Sequence, residues 1–394
     1  MSQGMSQSAT PAQPLSRLEA WQVMRNRFRT GLNPPAPPVP LRQTDERVVW
    51  FDYAKGICII LVVMMHSTLG VGEAFGAEGF MHNVVAYARP FRMPDFFLLS
   101  GLFLFRAIDR NWRTYLDRKV LHFAYFYVLW LLILTAVKAG PALGPDPMAW
   151  LAHLGWAPIT PNPNLWFIYM LPLFFLATKL AHSWGVPNWA LWLAAAALQT
   201  FPVHTGWEAI DGYGARYYVF FLTGYMLAPR VFALAQWARE NMEKATHVLA
   251  AWAIFNGVVA FESSGLTGID KVADIPGLRI GVGLLGAVAV VIVAAFLSRF
   301  DFARFIRYAG QNSIVIYVSF VLPMAATRIA LLKTGLIDNI GVVSLIVTAV
   351  AVAVPLTLHA AVRNTRFKFL YERPQRFKIE RRRREDAPAV AHPA

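Results

Sequence analysis

About ten segments of this chain are apolar over a length that can cross a lipid bilayer, and no other feature constrains its fold as strongly. A spanning helix needs about 20 mostly apolar residues, because each residue advances about 1.5 Å through a hydrocarbon layer about 30 Å thick. The candidates run near Val48–Gly70, Val84–Phe105, Lys119–Val137, Leu165–His182, Asn188–Phe201, Tyr213–Leu227, Thr246–Phe261, Gly277–Leu297, Asn312–Leu332 and Gly341–Val362. The fifth is short and rests on Trp189–Leu198. Composition points the same way. Of the 394 residues, 56% are hydrophobic and 15% charged, whereas a soluble domain has about 25% charged. Too few polar groups remain to cover a wet surface of this size, so lipid has to cover much of it. The expected fold class is all-α: a polytopic transmembrane helical bundle of about ten spans, with both termini cytoplasmic, in the cell membrane.

Charge sets the expected orientation. The formal net charge is +14. Residues 1–47 hold six Arg against three acids, and residues 363–394 hold ten Lys or Arg against four acids, so the tails carry +9 of it. With the N-terminus inside, Arg106, Arg110, Arg113, Arg118, Lys179, Arg230, Arg239, Lys244, Arg299, Arg304 and Arg307 fall in cytoplasmic loops. The opposite loops carry far fewer cations: Arg216, Lys271 and Lys333. Basic residues favour the cytoplasmic side, and an even number of spans returns the basic C-terminus to it. Three regions follow: a basic, Pro-containing cytoplasmic tail (1–47), a transmembrane domain (48–362) and a second basic cytoplasmic tail (363–394).

The first tail holds Leu15–Thr30, which fits an interfacial basic helix or a disordered segment, and a Pro-rich linker, Asn33–Pro40. It does not read as a secretory signal, since the first apolar segment starts late and is long. The run Arg381–Arg384 would suggest nucleic acid in a soluble protein. Beside a membrane span the expected partner is anionic lipid, with no nucleic acid. Cys58 stands alone, which excludes an intrachain disulfide or a Cys-based zinc site.

Ionisable groups inside spans are costly and by default mark function. The first span has Asp52, Lys55 and His66. Lys55 and His66 are eleven residues apart, which puts them within about 20° of one helix face and about 16 Å apart along the axis. Asp52 lies three residues before Lys55 and can pair with it. The second span adds Arg89, Arg92 and Asp95, with Arg89 expected near the depth of His66. A histidine beside arginines implies a polar cavity, in which a neutral imidazole can act as a base. In the loop that follows, the spacing of Arg110 and Arg113 puts two guanidiniums on one helical face, a geometry suited to phosphate. Each of these has a plainer reading: an interfacial ion pair, a core histidine, headgroup contacts, and positive-inside loop charge.

The chain as a whole resembles the acyltransferase 3 family of integral membrane O-acyltransferases, and more narrowly its short, fucose 4-O-acetylase-like members. The resemblance covers roughly residues 48–335. It rests on WFDYAKGICIILVVMMHS (50–67), RMPDFFLLSGLFLF (92–105), RNWR (110–113), NLWFIYMLPLFF (164–175), RYYVFFLTGYML (216–227) and YAGQNSIVIYVSFVLP (308–323). The family's basic–ten–His pattern falls on Lys55 and His66, its Arg-x-x-Arg pattern on Arg110 and Arg113, and its FFLSG-like element on Phe96–Gly101, with Ser100.

The resemblance implies transfer of an acyl group, most often acetyl from cytoplasmic acetyl-CoA as co-substrate, to a hydroxyl of a cell-envelope glycan or lipid-linked sugar, with no metal. Lys55, Arg110 and Arg113 would hold the CoA phosphates. His66, with Asp52, would be catalytic, His66 acting either as general base or through an acetyl-imidazole intermediate. Arg89, Arg92, Asp95, Ser100, Asn164, Trp166 and Arg216 would face the acceptor. Two positions depart from the family pattern: Ser319 follows Tyr317-Val318 where a histidine often stands, and Arg92 replaces a common histidine. The alternative is a secondary transporter for an anionic solute bound by Lys55, Arg89, Arg92 and His66. Transporters commonly have two pseudo-symmetric halves, whereas here the intramembrane charges sit in the first half of the spans. A non-catalytic scaffold would leave the Lys55–His66 stripe unexplained.

Overall fold

The computed structural model describes residues 48–139, 144, 146–201 and 204–379. The readings of Leu15–Thr30, Asn33–Pro40 and Arg381–Arg384 lie outside these residues. The described chain is an all-α polytopic bundle. Five straight helices are long and apolar enough to cross a membrane: α1 (Val49–Phe75), α4 (Trp112–Val137), α10 (Met242–Phe261), α11 (Leu278–Leu297) and α15 (Ile340–Val362). Each coincides with a segment expected from the sequence.

Two bent helix pairs are also apolar enough to cross if each counts as one span. Helix α8 (Ala209–Met226) turns through 74° into α9 (Ala228–Glu240), and α13 (Ser313–Ser319) through 54° into α14 (Val321–Thr334). Pro229 and Pro323 stand at the start of each second helix. Neither can donate the amide that would carry the preceding helix onward. Three expected spans are shorter or broken. The second divides at Arg89–Phe91 into α2 (Phe80–Ala88) and α3 (Arg92–Gly101). The fourth is α6 (Trp166–Ser183), with Pro172 inside it. The fifth, α7 (Asn188–Thr200), has 13 residues and so reaches only about 20 Å. A short helix, α5 (Pro147–Trp156), precedes α6. One feature is not helical: a hairpin of β1 (Ser263–Leu266) and β2 (Ile269–Lys271) joins α10 to α11.

Helix α1 lies at the centre. It packs on α3, α11, α15 and the short α12 (Arg304–Gln311). Its contact with α12 is backbone to backbone: Gly56 meets the Ile306 carbonyl, and Gly310 meets the Asp52 carbonyl. Likewise Gly101 of α3 meets the Phe221 carbonyl, and Gly224 of α8 meets the Leu98 carbonyl. In lipid, helices gain little from burying apolar surface against one another, so such close contacts carry the packing. Leu69, Val128, Ile254, Val258, Leu285 and Leu358 are exposed on the outside, as a lipid-facing surface requires.

The bundle has two distinct ends. At the basic end, the start of α1, the 106–118 segment, the end of α6 and residues 299–311 meet. Tyr53 donates to the Phe300 carbonyl (3.4 Å), and Phe51 packs on Phe103 (4.7 Å). Residues 366–379, assigned from sequence to a separate tail, also pack there. Tyr125 donates to the Phe369 carbonyl (2.9 Å) and the Trp130 indole to Leu370 (3.0 Å). Asp117 pairs with Arg373 (3.0 Å) and accepts from the Ile379 amide (2.9 Å). The hairpin marks the other end.

The glycine contacts give a test. A Cβ at Gly224 would run into the Leu98 backbone, whereas one at Gly281 meets open space. Gly224→Ala is therefore expected to destabilise the purified protein by about 1–3 kcal/mol, as overpacking does. Gly281→Ala is expected to be neutral or slightly stabilising. Equal melting midpoints for the two variants in detergent would refute the close approach.

Candidate active site

At the basic end Asp52 is 2% exposed. It pairs with Lys55 (3.2 Å) and accepts from the Gln311 amide (3.1 Å). The pairing expected from the i, i+3 spacing is present. Asp52, however, is fourteen residues below His66, about 21 Å along the axis. At that distance it does not touch His66, so the expected catalytic pairing of the two is not formed, and Asp52 instead holds Lys55. Lys55 also lies over the Phe51 ring (4.9 Å), Phe51 packs on Phe103, and Arg106 covers Phe103 (5.7 Å). This ladder brings Lys55 and Arg106 to one neighbourhood.

Arg110 and Arg113 are exposed beside it. What fixes them is Lys179, which is 6% exposed. Its ammonium donates to the carbonyls of Ile108 (2.5 Å) and Arg110 (2.9 Å) and lies over the rings of Trp112 and Tyr115. Asn111 caps the next helical turn by accepting from the Thr114 amide (2.8 Å), and His182 meets Asp109 (3.1 Å). Arg113 donates to the Ile379 carbonyl (3.3 Å). The result is a held basic loop whose guanidiniums face outward, able to bind a phosphate in bidentate fashion. In the sequence Lys179 read as one more loop charge.

His66 is half-buried, its ring 5.3 Å from Phe320 at the break between α13 and α14. The hydroxyls of Ser67 and Thr68 next to it are buried and have no hydrogen-bond partner among the described residues. One turn further along α1, the Arg328 guanidinium lies against Gly70. Arg328 is a cation near His66 that the sequence did not single out, because it stands late in a different helix. Ser319 spends its hydroxyl on the Val315 carbonyl (2.7 Å).

From Phe320 a wall of aromatic rings runs inward. Tyr317 follows, then Phe167, Phe97 and Tyr217, each ring within 6.4 Å of the next. Trp166 closes this wall, stacked on Tyr213 (4.4 Å) and tilted against Tyr217 (5.4 Å). Asn164 turns the chain into α6, its amide donating to the Asn162 side chain (3.0 Å). Trp166 is thus brought onto the wall that leads to His66, and Asn164 stands at its edge.

The α3 residues behave differently from one another. Arg92 (7% exposed) and Asp95 (1% exposed) sit one turn apart, yet they share no hydrogen bond. The Arg92 Nε and Nη1 and both Asp95 carboxylate oxygens have no partner among the described residues. Arg92 lies within electrostatic reach of Tyr217 and Arg89, and Asp95 within reach of Cys58 on α1. Ser100 bonds its own helix, at the Phe96 carbonyl (2.7 Å). Arg89, expected near the depth of His66, stands at the end of α2 and pairs with Asp274, just past the hairpin. Arg216 is exposed and lines a cavity of about 390 Å³ with Arg89, Tyr217, Asp274 and Arg279. Among the described residues no three His, Cys, Asp or Glu side chains group as a metal site would need.

A multi-pass membrane protein with a basic loop at one end, a histidine in a polar interior and a cationic cavity at the other is thus defined. The sequence model of the acyltransferase 3 family, described as an acyltransferase domain, matches residues 48–358. This is most of the chain, and the chain belongs to that family. It is also similar to the inner membrane protein YcfT of Escherichia coli (strain K12), at 28% identity over 198 residues. That match covers 42% of this chain and 52% of the relative, so the chain spans about half of that protein's length. No solved structure matches it.

Lys179 offers a test of how the loop is held. Each hydrogen bond from a charged donor contributes roughly 1.5–3 kcal/mol. Lys179→Met should therefore free the 106–113 segment, raising tryptic cleavage after Arg110 and Arg113 by roughly tenfold or more. An unchanged cleavage rate would show that the loop is held by something else.

Proposed function

We propose that this protein is a membrane O-acyltransferase that moves an acetyl group from acetyl-CoA to a hydroxyl of a cell-envelope glycan or lipid-linked sugar. The observation that carries this reading is the setting of His66: a half-buried imidazole in the central helix, with the Arg328 guanidinium against Gly70 one turn further on, in a chain of the acyltransferase 3 family. On this reading the basic end is cytoplasmic, both termini lie there, and the tail residues rest on anionic headgroups. The name of the relative supports an inner-membrane location.

Arg110, Arg113 and Lys55 bind the phosphates of CoA, Asp52 and Gln311 holding Lys55 in place. The thin pantetheine arm carries the thioester up the α1 face towards His66. The acceptor enters from the other end along the Trp166–Tyr217 wall, where rings suit the apolar faces of a sugar. Neutral His66 takes the proton from the acceptor hydroxyl as its oxygen attacks the thioester carbonyl. The C–S bond breaks, and the departing CoA thiolate takes the proton back. Arg328, one turn along α1 from His66, supplies cationic support to the oxyanion.

Reconstituted protein is expected to transfer label from labelled acetyl-CoA to an envelope-glycan acceptor. His66→Ala should lower the rate by about 10²–10⁴-fold, the usual worth of a general base. Its melting curve should be unchanged. Arg110→Ala/Arg113→Ala should raise KM for acetyl-CoA by roughly tenfold or more with less effect on kcat, the pattern of lost ground-state binding. Full activity in the His66 variant would sink the catalytic assignment, and an unchanged KM would sink the donor site.

A further inference from the structure

We infer that the cavity at the hairpin end is a subsite for an anionic group on the acceptor, a carboxylate or a phosphate, with Arg216 as its principal cation. This rests on the acyl-transfer reading and names the acceptor class it left open. The walls carry Arg89, Arg216 and Arg279 against Asp270 and Asp274. Asp274 is fully used: one oxygen pairs with Arg89 and the other with Arg279 (3.0 Å). Its role is to fix two guanidiniums in place. Arg216 forms no ion pair or hydrogen bond among the described residues. It stands exposed on the opposite wall, on the second helical turn of α8.

Behind this wall lies Arg92, buried, with two of its nitrogens unpartnered and Arg89 within electrostatic reach. Asp95, one turn further along α3, shares no hydrogen bond or ion pair with it among the described residues. Three guanidiniums therefore meet two carboxylates in the lining, and Asp274 is already saturated by two of them. Guanidinium groups are donors only. A lining of this kind is better matched by the charged acceptor oxygens of a carboxylate or phosphate than by neutral sugar hydroxyls, which are both donors and acceptors. Tyr217 belongs both to this cavity and to the aromatic wall that ends at His66. An acceptor held here by its anionic group places its sugar against Tyr217 and the neighbouring Trp166 ring.

The full-length protein in zwitterionic nanodiscs tests this, with glucuronate, glucose 1-phosphate and glucose as probes in direct binding titrations. Both anionic sugars are expected to bind at least about tenfold more tightly than glucose. That preference should weaken with added salt and be lost in Arg216→Gln, whose exposed position leaves the melting curve unchanged. Equal binding of all three sugars, or an undiminished preference in Arg216→Gln, would overturn the proposal. So would a preference that vanishes when the nanodisc contains phosphatidylglycerol, because the site would then belong to lipid headgroups. Acetyl-CoA binding in the same samples separates the two readings. If acetyl-CoA binds without any anionic preference, the subsite fails and acyl transfer stands. If the Arg216-dependent preference holds without acetyl-CoA binding, the subsite stands and acyl transfer fails.

Discussion

Inside a bilayer no water reaches the backbone or the side chains, so a polar group within the bundle needs a partner in the protein or is kept for a ligand. The organisation of this molecule follows from that constraint. Several interior groups obey it completely. Asp52 is held by Lys55 and Gln311, Lys179 by two carbonyls, and Asp117 by Arg373 and the Ile379 amide. These are structural charges that fix the basic end. Ser67, Thr68, Arg92 and Asp95 are buried without partners, and they lie on α1 and α3, the two helices that carry the candidate chemistry. Among the described residues, side-chain atoms of Thr135, Gln199, Trp252, Asn256, Arg307 and Arg373 are also buried without a partner, and nothing in the structure explains them.

The same constraint links fold to function. Since apolar burial does little to join helices in lipid, α1 meets α12 through Gly56 and Gly310, and α3 meets α8 through Gly101 and Gly224. Those contacts set α1 and α3 at the centre and present His66 to the break at Phe320. On the proposed function, donor and acceptor approach one histidine from opposite ends, each through its own cationic loop or cavity. A single helix, α1, runs from the Lys55 clamp to His66 and so couples the two.

Much of this was legible in the sequence. Apolar length located the straight helices, and i, i+3 spacing gave the Asp52–Lys55 pair, because both depend on local periodicity. The sixth expected span, Tyr213–Leu227, ended where the chain bends before Pro229, whereas continuous apolar character carried the ninth, Asn312–Leu332, straight through the bend at Pro323. The break that takes Arg89 to Asp274 was not readable, since its partner lies far along the chain. The same holds for Asp117 with Arg373, and for Arg328 against Gly70. Lys179 looked like an ordinary loop cation because a sequence does not show which carbonyls will surround it. The resemblance implied a catalytic role for Asp52, although its axial distance of about 21 Å from His66 excludes direct contact.

The central claim is that His66 drives acyl transfer to an envelope sugar. It is tested most directly by mass spectrometry of surface glycans from cells producing wild-type or His66→Ala protein at equal membrane levels. The account predicts an ester-linked acetyl increment on one sugar with the wild-type protein, removable by mild base and missing with His66→Ala. An identical glycan profile with and without the protein, or an increment that persists in the His66 variant, would contradict it.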